Sequence, residues 1–314
     1  MEHPFPYSDS GKRYHTLDYH LRSKFHSKVF KVSLNAGFTC PNRDGSKGFG
    51  GCTYCSAEGS GDFAGDPASS ILDQFCSVRD MLLKKWPDAL YIPYFQAYTN
   101  TYAPASVLRE RFEPVLGQEG VVGLSLATRA DCLEEDAVEY LAELNRRTYL
   151  IVELGLQTIF DETAARINRC HDYAAFLEGY EKLKSRGIRV CVHLINGLPG
   201  ETSEMMRETA RTVAALGVHS VKLHLLHILA DTPIAADYLA GRLRLLTLEE
   251  YVSIVCDQLE LLPPETVIQR ITGDGARDRL LAPLWSLKKL VVMNEIDKEL
   301  RRRDSWQGKY FAAY

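Results

Sequence analysis

A chain of 314 residues, 46% hydrophobic and 25% charged, has the composition of a globular protein with one large or two ordinary cores. Its formal charge of −4 excludes the global basic field of many non-specific nucleic-acid binders. The opening MEHPFPYSDSGKRYH lacks the apolar core of a secretory signal and no run reaches the length of a membrane span, so the expectation is a reducing cytoplasm in which the eight cysteines are free thiols or ligands rather than disulfides.

Residues 12–31, KRYHTLDYHLRSKFHSKVFK, are locally basic and interleaved with Tyr14, Tyr19 and Phe25. Such a segment suits phosphate contact with base stacking, or an ordinary solvated helix face. Residues 28–34 (KVFKVSL) read as a β-strand that runs into GFTCPNRDGSKGFGGCTYCSAE, residues 37–58. This loop carries Cys40, Cys52 and Cys55 as C-x11-C-x2-C. Thiolates are soft ligands for zinc or iron–sulfur iron. The short gap lets two sulfurs reach one metal centre, and Gly45, Gly48, Gly50 and Gly51 let the long arm turn back with the third. A closed zinc site has four protein ligands and no fourth cysteine follows nearby. Three cysteines around a [4Fe–4S] cluster leave one iron open for chemistry. Zinc completed by a distant ligand, and three buried thiols, are the competing readings. Tyr54, before the last cysteine, either shields a cluster from water or packs the loop.

After the loop, Ile71, Phe75, Val78 and Leu82 recur at helical spacing. Strands and helices then alternate: ALYIPYFQ, a helix over 105–116, VVGLSLAT, LEEDAVEYLAELNRR, TYLIVELGLQ, two helical stretches of which the second covers about 173–186, IRVCVHLING, a helix over 201–216, and SVKLHLLHIL. Six strands alternating with helices predict a parallel sheet, a partial (β/α)6 TIM-like barrel. The strands are near-continuous apolar runs, as expected when both faces are covered. Polar residues gather at their ends: Gln96, Tyr98 and Asn100; Thr128 and Arg129; Glu153 and Gln157; His193 and Asn196; His224 and His227. In α/β barrels the site lies at those ends. His224 and His227, three apart, point to opposite faces of a strand and make a poor metal pair. Cys76, Cys132, Cys170, Cys191 and Cys256 stand singly and read as structural. Residues 1–229 form the barrel unit in this reading. Residues 230–314, with two helices, the short strand VIQRIT and the basic tail Arg301–Lys309, form a mainly helical extension packed on it.

A cysteine motif after the first strand, an aromatic before its last cysteine, and six βα units together resemble the radical S-adenosylmethionine (SAM) superfamily. The long arm between Cys40 and Cys52, with YFQAYTNTYAP, ELGLQT, NRCH, LINGLPGET and IQRITGDG, resembles the Elongator-catalytic-subunit-like subfamily, in its bacterial form without an acetyltransferase domain. The resemblance implies that Cys40, Cys52 and Cys55 hold a [4Fe–4S] cluster that binds and reductively cleaves SAM, releasing a 5′-deoxyadenosyl radical. It implies SAM contacts from the stretch Gln96 to Asn100 through a carbonyl or side-chain amide, since no Gly-Gly-Glu occurs there. Arg129 is expected on a carboxylate, Glu153 on the ribose and Gln157 on SAM or substrate. The turn carrying Asn196, Gly197 and Gly200 is expected at the adenine, with Gln96, Tyr98 and Arg169 close to the chemistry. The implied partners are tRNA as substrate, at the C5 side chain of the wobble uridine, and a reductant such as flavodoxin or ferredoxin. Phosphate contacts would come from the basic N-terminal segment and the Arg301–Lys309 tail. A small-metabolite enzyme, a non-catalytic iron–sulfur regulatory or electron-transfer protein, and a zinc-stabilised RNA-binding module are the alternatives.

Overall fold

The computed structural model describes residues 5, 7, 10–59, 61–62, 64–273 and 275–312. Asp274, in the phrase IQRITGDG, lies outside the described residues. The elements run α1 (Leu17–Phe25), β1 (Val29–Leu34), α2 (Ile71–Leu83), β2 (Leu90–Phe95), α3 (Ala105–Leu116), β3 (Gly123–Thr128), α4 (Glu135–Arg147) and β4 (Tyr149–Gln157). They continue with α5 (Asp161–Arg166), α6 (Tyr173–Lys184), β5 (Arg189–Asn196), α7 (Ser203–Leu216), β6 (Ser220–Leu225), β7 (Ile228–Leu229), α8 (Ile234–Leu239), α9 (Leu248–Leu261), β8 (Val267–Arg270), β9 (Leu280–Ala282) and α10 (Lys289–Arg302). Side-chain caps open several helices: Ser70 for α2, Asp172 for α6, Thr202 for α7, and a Thr247–Glu250 capping box for α9.

Seven strands form one sheet in the order β1-β2-β3-β4-β5-β6-β8, each neighbouring pair parallel, curled into an incomplete barrel. Pro93 has no N–H to donate, and the β2–β3 ladder begins only at Tyr94, opposite Ser125. All six strands expected from the sequence are present. The seventh, β8, belongs to the stretch read as a C-terminal extension, yet Val267 pairs with Ser220 of β6. It is only four residues long, and the short strand β7 lies between it and β6 along with two helices, which breaks the alternation.

Alternate strand residues go to opposite faces. Outward, Val32, Leu126, Val152, Val192 and Leu223 meet the helices in the main core. Inward, the barrel is layered. At the strands' N-terminal end Val29, Ile92, Tyr149, Ile151 and Cys191 pack around Leu21 of α1 as an apolar plug. Above it come Lys31, Ser125, Glu153, His193 and Lys222, joined by hydrogen bonds and ion pairs. The open side between β1 and β8 is spanned by α1, which packs on both, by the Ile268 N–H donating to His15 O (2.7 Å), and by Lys31 Nζ donating to Gln269 Oε1 (2.7 Å).

The two basic stretches lie together at the plugged end, away from the C-terminal ends of the strands. Tyr14 is buried in the core, Lys12 pairs with Asp297, and Asp18 takes both Arg22 and Lys28. In the tail, Gln307 donates its N–H to Arg13 O (2.9 Å) and accepts from His15 N (2.8 Å), while Arg303 pairs with Asp257 at 2.6 Å. Tyr14 and Phe25 fill apolar space, and several of the cations are taken up by nearby carboxylates. Neither stretch stands at the cysteine rim.

Candidate functional site

The loop from β1 brings Cys40, Cys52 and Cys55 to one rim of a cavity at the C-terminal ends of the strands, with all three thiols free. Short hydrogen bonds shape it: Arg43 N to Cys40 O at 2.8 Å, Gly51 N to Asn42 O at 2.8 Å and Cys55 N to Cys52 O at 3.0 Å. The turn after α5 clamps it from outside. Thr53 N donates to Ile167 O (2.9 Å), and Asn168 Nδ2 donates to Phe49 O (3.1 Å) and Gly51 O (2.8 Å). Asn42, fully buried, donates Nδ2 to Asn168 O and faces Cys52 Sγ at 3.7 Å, a long N–H···S contact. Arg43 covers the carbonyls of Cys55, Ser56 and Ala57 and lies over the Tyr98 ring, whose hydroxyl donates to Ala57 O. Gly51 sits at φ +79 against the Arg43 side chain, where a Cβ would collide. Gly48 is likewise wedged against Asn42 and Cys170, which explains two of the four arm glycines by space as well as torsion.

Of the residues singled out in the sequence, Gln96, Tyr98, Gln157 and Arg169 line the cavity with the cysteines. Gln157 is reached through a bulge in β4 and takes φ 62, which turns it into the mouth. Arg129 and Glu153 also line it, but their charged ends have partners inside the fold. Arg129 holds Asp131 in a fork (2.9 and 3.0 Å) and donates to Arg169 O (2.9 Å). Burial opposes the charge of Asp131, yet the guanidinium outweighs it and holds that carboxyl at about 2. Glu153 accepts from Lys31 and Ser125 on one oxygen and from Lys222 and His193 on the other. Asn100, Asn196, Gly197 and Gly200 are not in the cavity wall. Asn100 donates to the carbonyls of Phe95, Ala97 and Ala127 (3.1, 3.0 and 2.8 Å), and Asn196 exchanges hydrogen bonds with Gln258 of α9 (2.8 Å each). Gly197 and Gly200 take φ +86 and +83, and a Cβ on Gly200 would strike the Arg166 guanidinium. His224 and His227 both line the cavity, because β6 ends at Leu225 and the strand alternation stops there.

Residues 39–213 match the radical SAM superfamily and residues 218–302 its C-terminal domain, Radical_SAM_C. The chain belongs to the radical SAM superfamily. It is 56% identical over 311 residues to the uncharacterized protein YtqA of Bacillus subtilis, covering 99% of this chain and 97% of that one. It is 38% identical to YhcC of Escherichia coli K12, covering 89% and 90% respectively. The archaeal Elp3 of Methanocaldococcus infernus, truncated at its N-terminus, has the same fold with a TM-score of 0.66 at 16% identity, covering 90% of this chain and 64% of that one. A radical SAM protein uses a [4Fe–4S] cluster and SAM.

The residues at the mouth fit that pair of cofactors. Three soft donors converge on one rim, and Cys52, whose thiol burial pushes up to about 11, is a poor free thiol but a suitable ligand. Arg169 is buried with its Nη1 on the carbonyls of Leu156 and Thr158, while its Nη2 has no hydrogen-bond partner among the described residues. A buried guanidinium nitrogen left over in a cavity wall marks a place for an acceptor. When bound, the cluster supplies the electron that cleaves SAM to the 5′-deoxyadenosyl radical. The chain's own part is to fix the cysteine loop through Asn42, Asn168 and Arg43, to present Arg169 and Gln157, and to seal the barrel's far end against water with the α1 plug.

Sequence reasoning missed Lys31, Lys222, Asn42, Asn168 and Arg43. For the lysines a signal existed: KVFKVSL and SVKLHL each put one ammonium in the middle of an apolar strand. The asparagines and Arg43 act through backbone contacts across the chain, which no spacing reveals.

Proposed function

We propose that this radical SAM enzyme modifies tRNA at the C5 side chain of the wobble uridine, converting carboxymethylaminomethyl to aminomethyl. The observation that carries the reading is the form of the site: an open mouth with the cysteines on its rim and a polar shaft descending inside the barrel, which suits one side chain projected from a large substrate. Distant likeness supports it. Over about half of this chain, and 28% and 29% of theirs, the fission-yeast Elongator complex protein 3 and the Methanocaldococcus infernus tRNA uridine(34) acetyltransferase are 27% and 24% identical. In this reading Gln96, Gln157 and Arg169 Nη2 hold SAM, with backbone of the turn around Gly197 and Gly200 close to its adenine. Tyr98 steadies the cysteine loop. Arg129 acts through the Asp131 fork and Glu153 through the lysines, each as a positioning group. The tRNA is gripped by rim residues, and a flavodoxin or ferredoxin reduces the cluster.

The test is 5′-deoxyadenosine release by anaerobically reconstituted protein with SAM and reductant, with and without bulk tRNA from a strain lacking the gene. Release that rises with tRNA, with a changed wobble nucleoside by mass spectrometry, is the expected result. Release indifferent to RNA would move the substrate to a small molecule and overturn the tRNA assignment.

A further inference from the structure

Below the cysteines the cavity wall is made by Tyr94, Glu153, His193, Lys222, His224 and Arg270. Donor atoms of Glu153, Cys191 and His193 lie within 4.8 Å of one another, a spacing that would suit a metal ion. The charges argue otherwise, because Lys31 and Lys222 already occupy the two oxygens of Glu153 and would repel a cation. The Tyr94 ring is held between these ammoniums, at 4.7 and 4.5 Å from its centroid. Setting Arg270 aside, two ammoniums face one carboxylate, so the described residues of this layer carry one positive unit in excess in a buried place. Burying charge without a partner is costly. The strain is visible in Lys222, which burial pushes down to about 8, with Lys31 and Arg270 adding to the push and Glu153 resisting it.

A buried ring nitrogen without a partner among the described residues accompanies the excess charge. His224 stands 5.2 Å from His193, ring to ring, and its Nε2 is buried with no hydrogen-bond partner among the described residues. Burial and the neighbouring cations keep both imidazoles neutral, so each can donate a single N–H. Among the described residues Lys222 uses two of its three N–H groups, on Glu153 and on Tyr94 OH (3.1 Å).

From this arrangement we infer that the floor of the mouth is a receptor for a carboxylate carried by the substrate, bound by Lys222 and His224 beside Arg270. A group that reaches this layer has to thread the shaft, so the ligand is a flexible arm ending in the anion and not a phosphate of a nucleic-acid backbone. The carboxymethyl end of the nucleoside named above has that form. The identity of the arm's owner rests on the proposed function; the existence of the receptor does not.

The reconstituted holoprotein, with SAM present in saturating amount, is titrated with trifluoroacetate and followed by fluorine NMR line broadening. The expected result is broadening that acetate reverses and methylammonium does not. Lys222→Gln should bind trifluoroacetate at least roughly tenfold more weakly and Lys222→Arg should recover most of it, as for the loss of a charge-assisted hydrogen bond. Cluster absorbance reports whether each variant is folded, and the wild-type displacement stands if Lys222→Gln is not. No broadening, broadening unchanged in a folded Lys222→Gln, or broadening seen in a SAM-free control and lost once SAM is added would overturn the inference, the last by giving the receptor to the carboxylate of SAM. A second arm compares 5′-deoxyadenosine release with anticodon stem-loop RNA bearing carboxymethylaminomethyluridine or its methyl ester. Preference for the acid, lost in Lys222→Gln, joins receptor to substrate. Trifluoroacetate binding without any RNA response would sink the tRNA reading alone.

Discussion

Glu153→Gln removes one charge at constant shape and strips the only carboxylate among the described residues of a layer that holds Lys31 and Lys222. The new amide can accept on one side only. On the other its NH2 meets donors, either Lys31 with Ser125 or Lys222 with His193. Deleting one partner of a buried ion pair costs about 3–5 kcal/mol, because the surviving charge stays buried. With an unfolding entropy of about 2.1 cal/mol/K per residue, a protein of this size should lose roughly 5–8 °C in Tm. The pH dependence identifies the cause. Lys222 titrates at about 8 in the fold against 10.5 in the unfolded chain, so between those values the unfolded chain holds more protons and stability rises with pH. In the variant, where no carboxylate supports the proton, the deficit should shrink sooner on going from pH 7 to pH 9. Urea unfolding at both pH values, followed by circular dichroism, measures this. A loss under about 1 kcal/mol at pH 7, or one that does not change with pH, would refute the account of a buried, net-cationic layer.

Replacing Cys40, Cys52 or Cys55 with Ala should abolish the iron content and visible absorbance of the reconstituted protein, whereas Cys76→Ala in α2 should keep both; iron retained in the triple variant would sink the ligand assignment. Asn42→Leu removes an N–H directed at Cys52 Sγ, so the midpoint potential of the cluster, read by an EPR-monitored redox titration, should fall; an unchanged potential would mean that the amide only shapes the loop. His193 and His219 are kept neutral chiefly by burial, at about 4 and about 3 against an ordinary 6.5. Stability that is full above 6.5 should therefore drain away as pH falls towards 4, by about 2 kcal/mol per histidine at pH 5. Equal urea midpoints at pH 7 and pH 5 would contradict this.

The sheet was legible because its outward positions are apolar and its helices are spaced by the same period. β8 was seen as a strand but not as part of the barrel, since pairing with β6 is a property of the folded chain alone. The cysteine rim was legible from residue type and spacing, and the strand-end rule picked out Gln96, Tyr98 and Gln157, which line the cavity with the cysteines. It failed for Asn100 and Asn196, also polar and at strand ends, because an amide can be consumed by backbone carbonyls or by another amide. Nothing in the sequence separates those outcomes. The ion pairs at the basic ends of the chain were illegible for a related reason: composition counts cations, and it cannot show that Asp18, Asp257, Asp297 and Glu299 stand beside them.

The helix that plugs the barrel leans on both the first strand and the last, although well over two hundred residues separate it from β8. On the ribosome, where a chain emerges from its N-terminus, this sets a timetable. Until residue 270 is clear, β6 presents an unpaired edge, α1 has half its seat, and the charged layer above the plug is open to water on one side. A nascent chain stopped at residue 229 is therefore expected to aggregate or to occupy chaperones, and the barrel closes around its cofactors only after synthesis has passed β8.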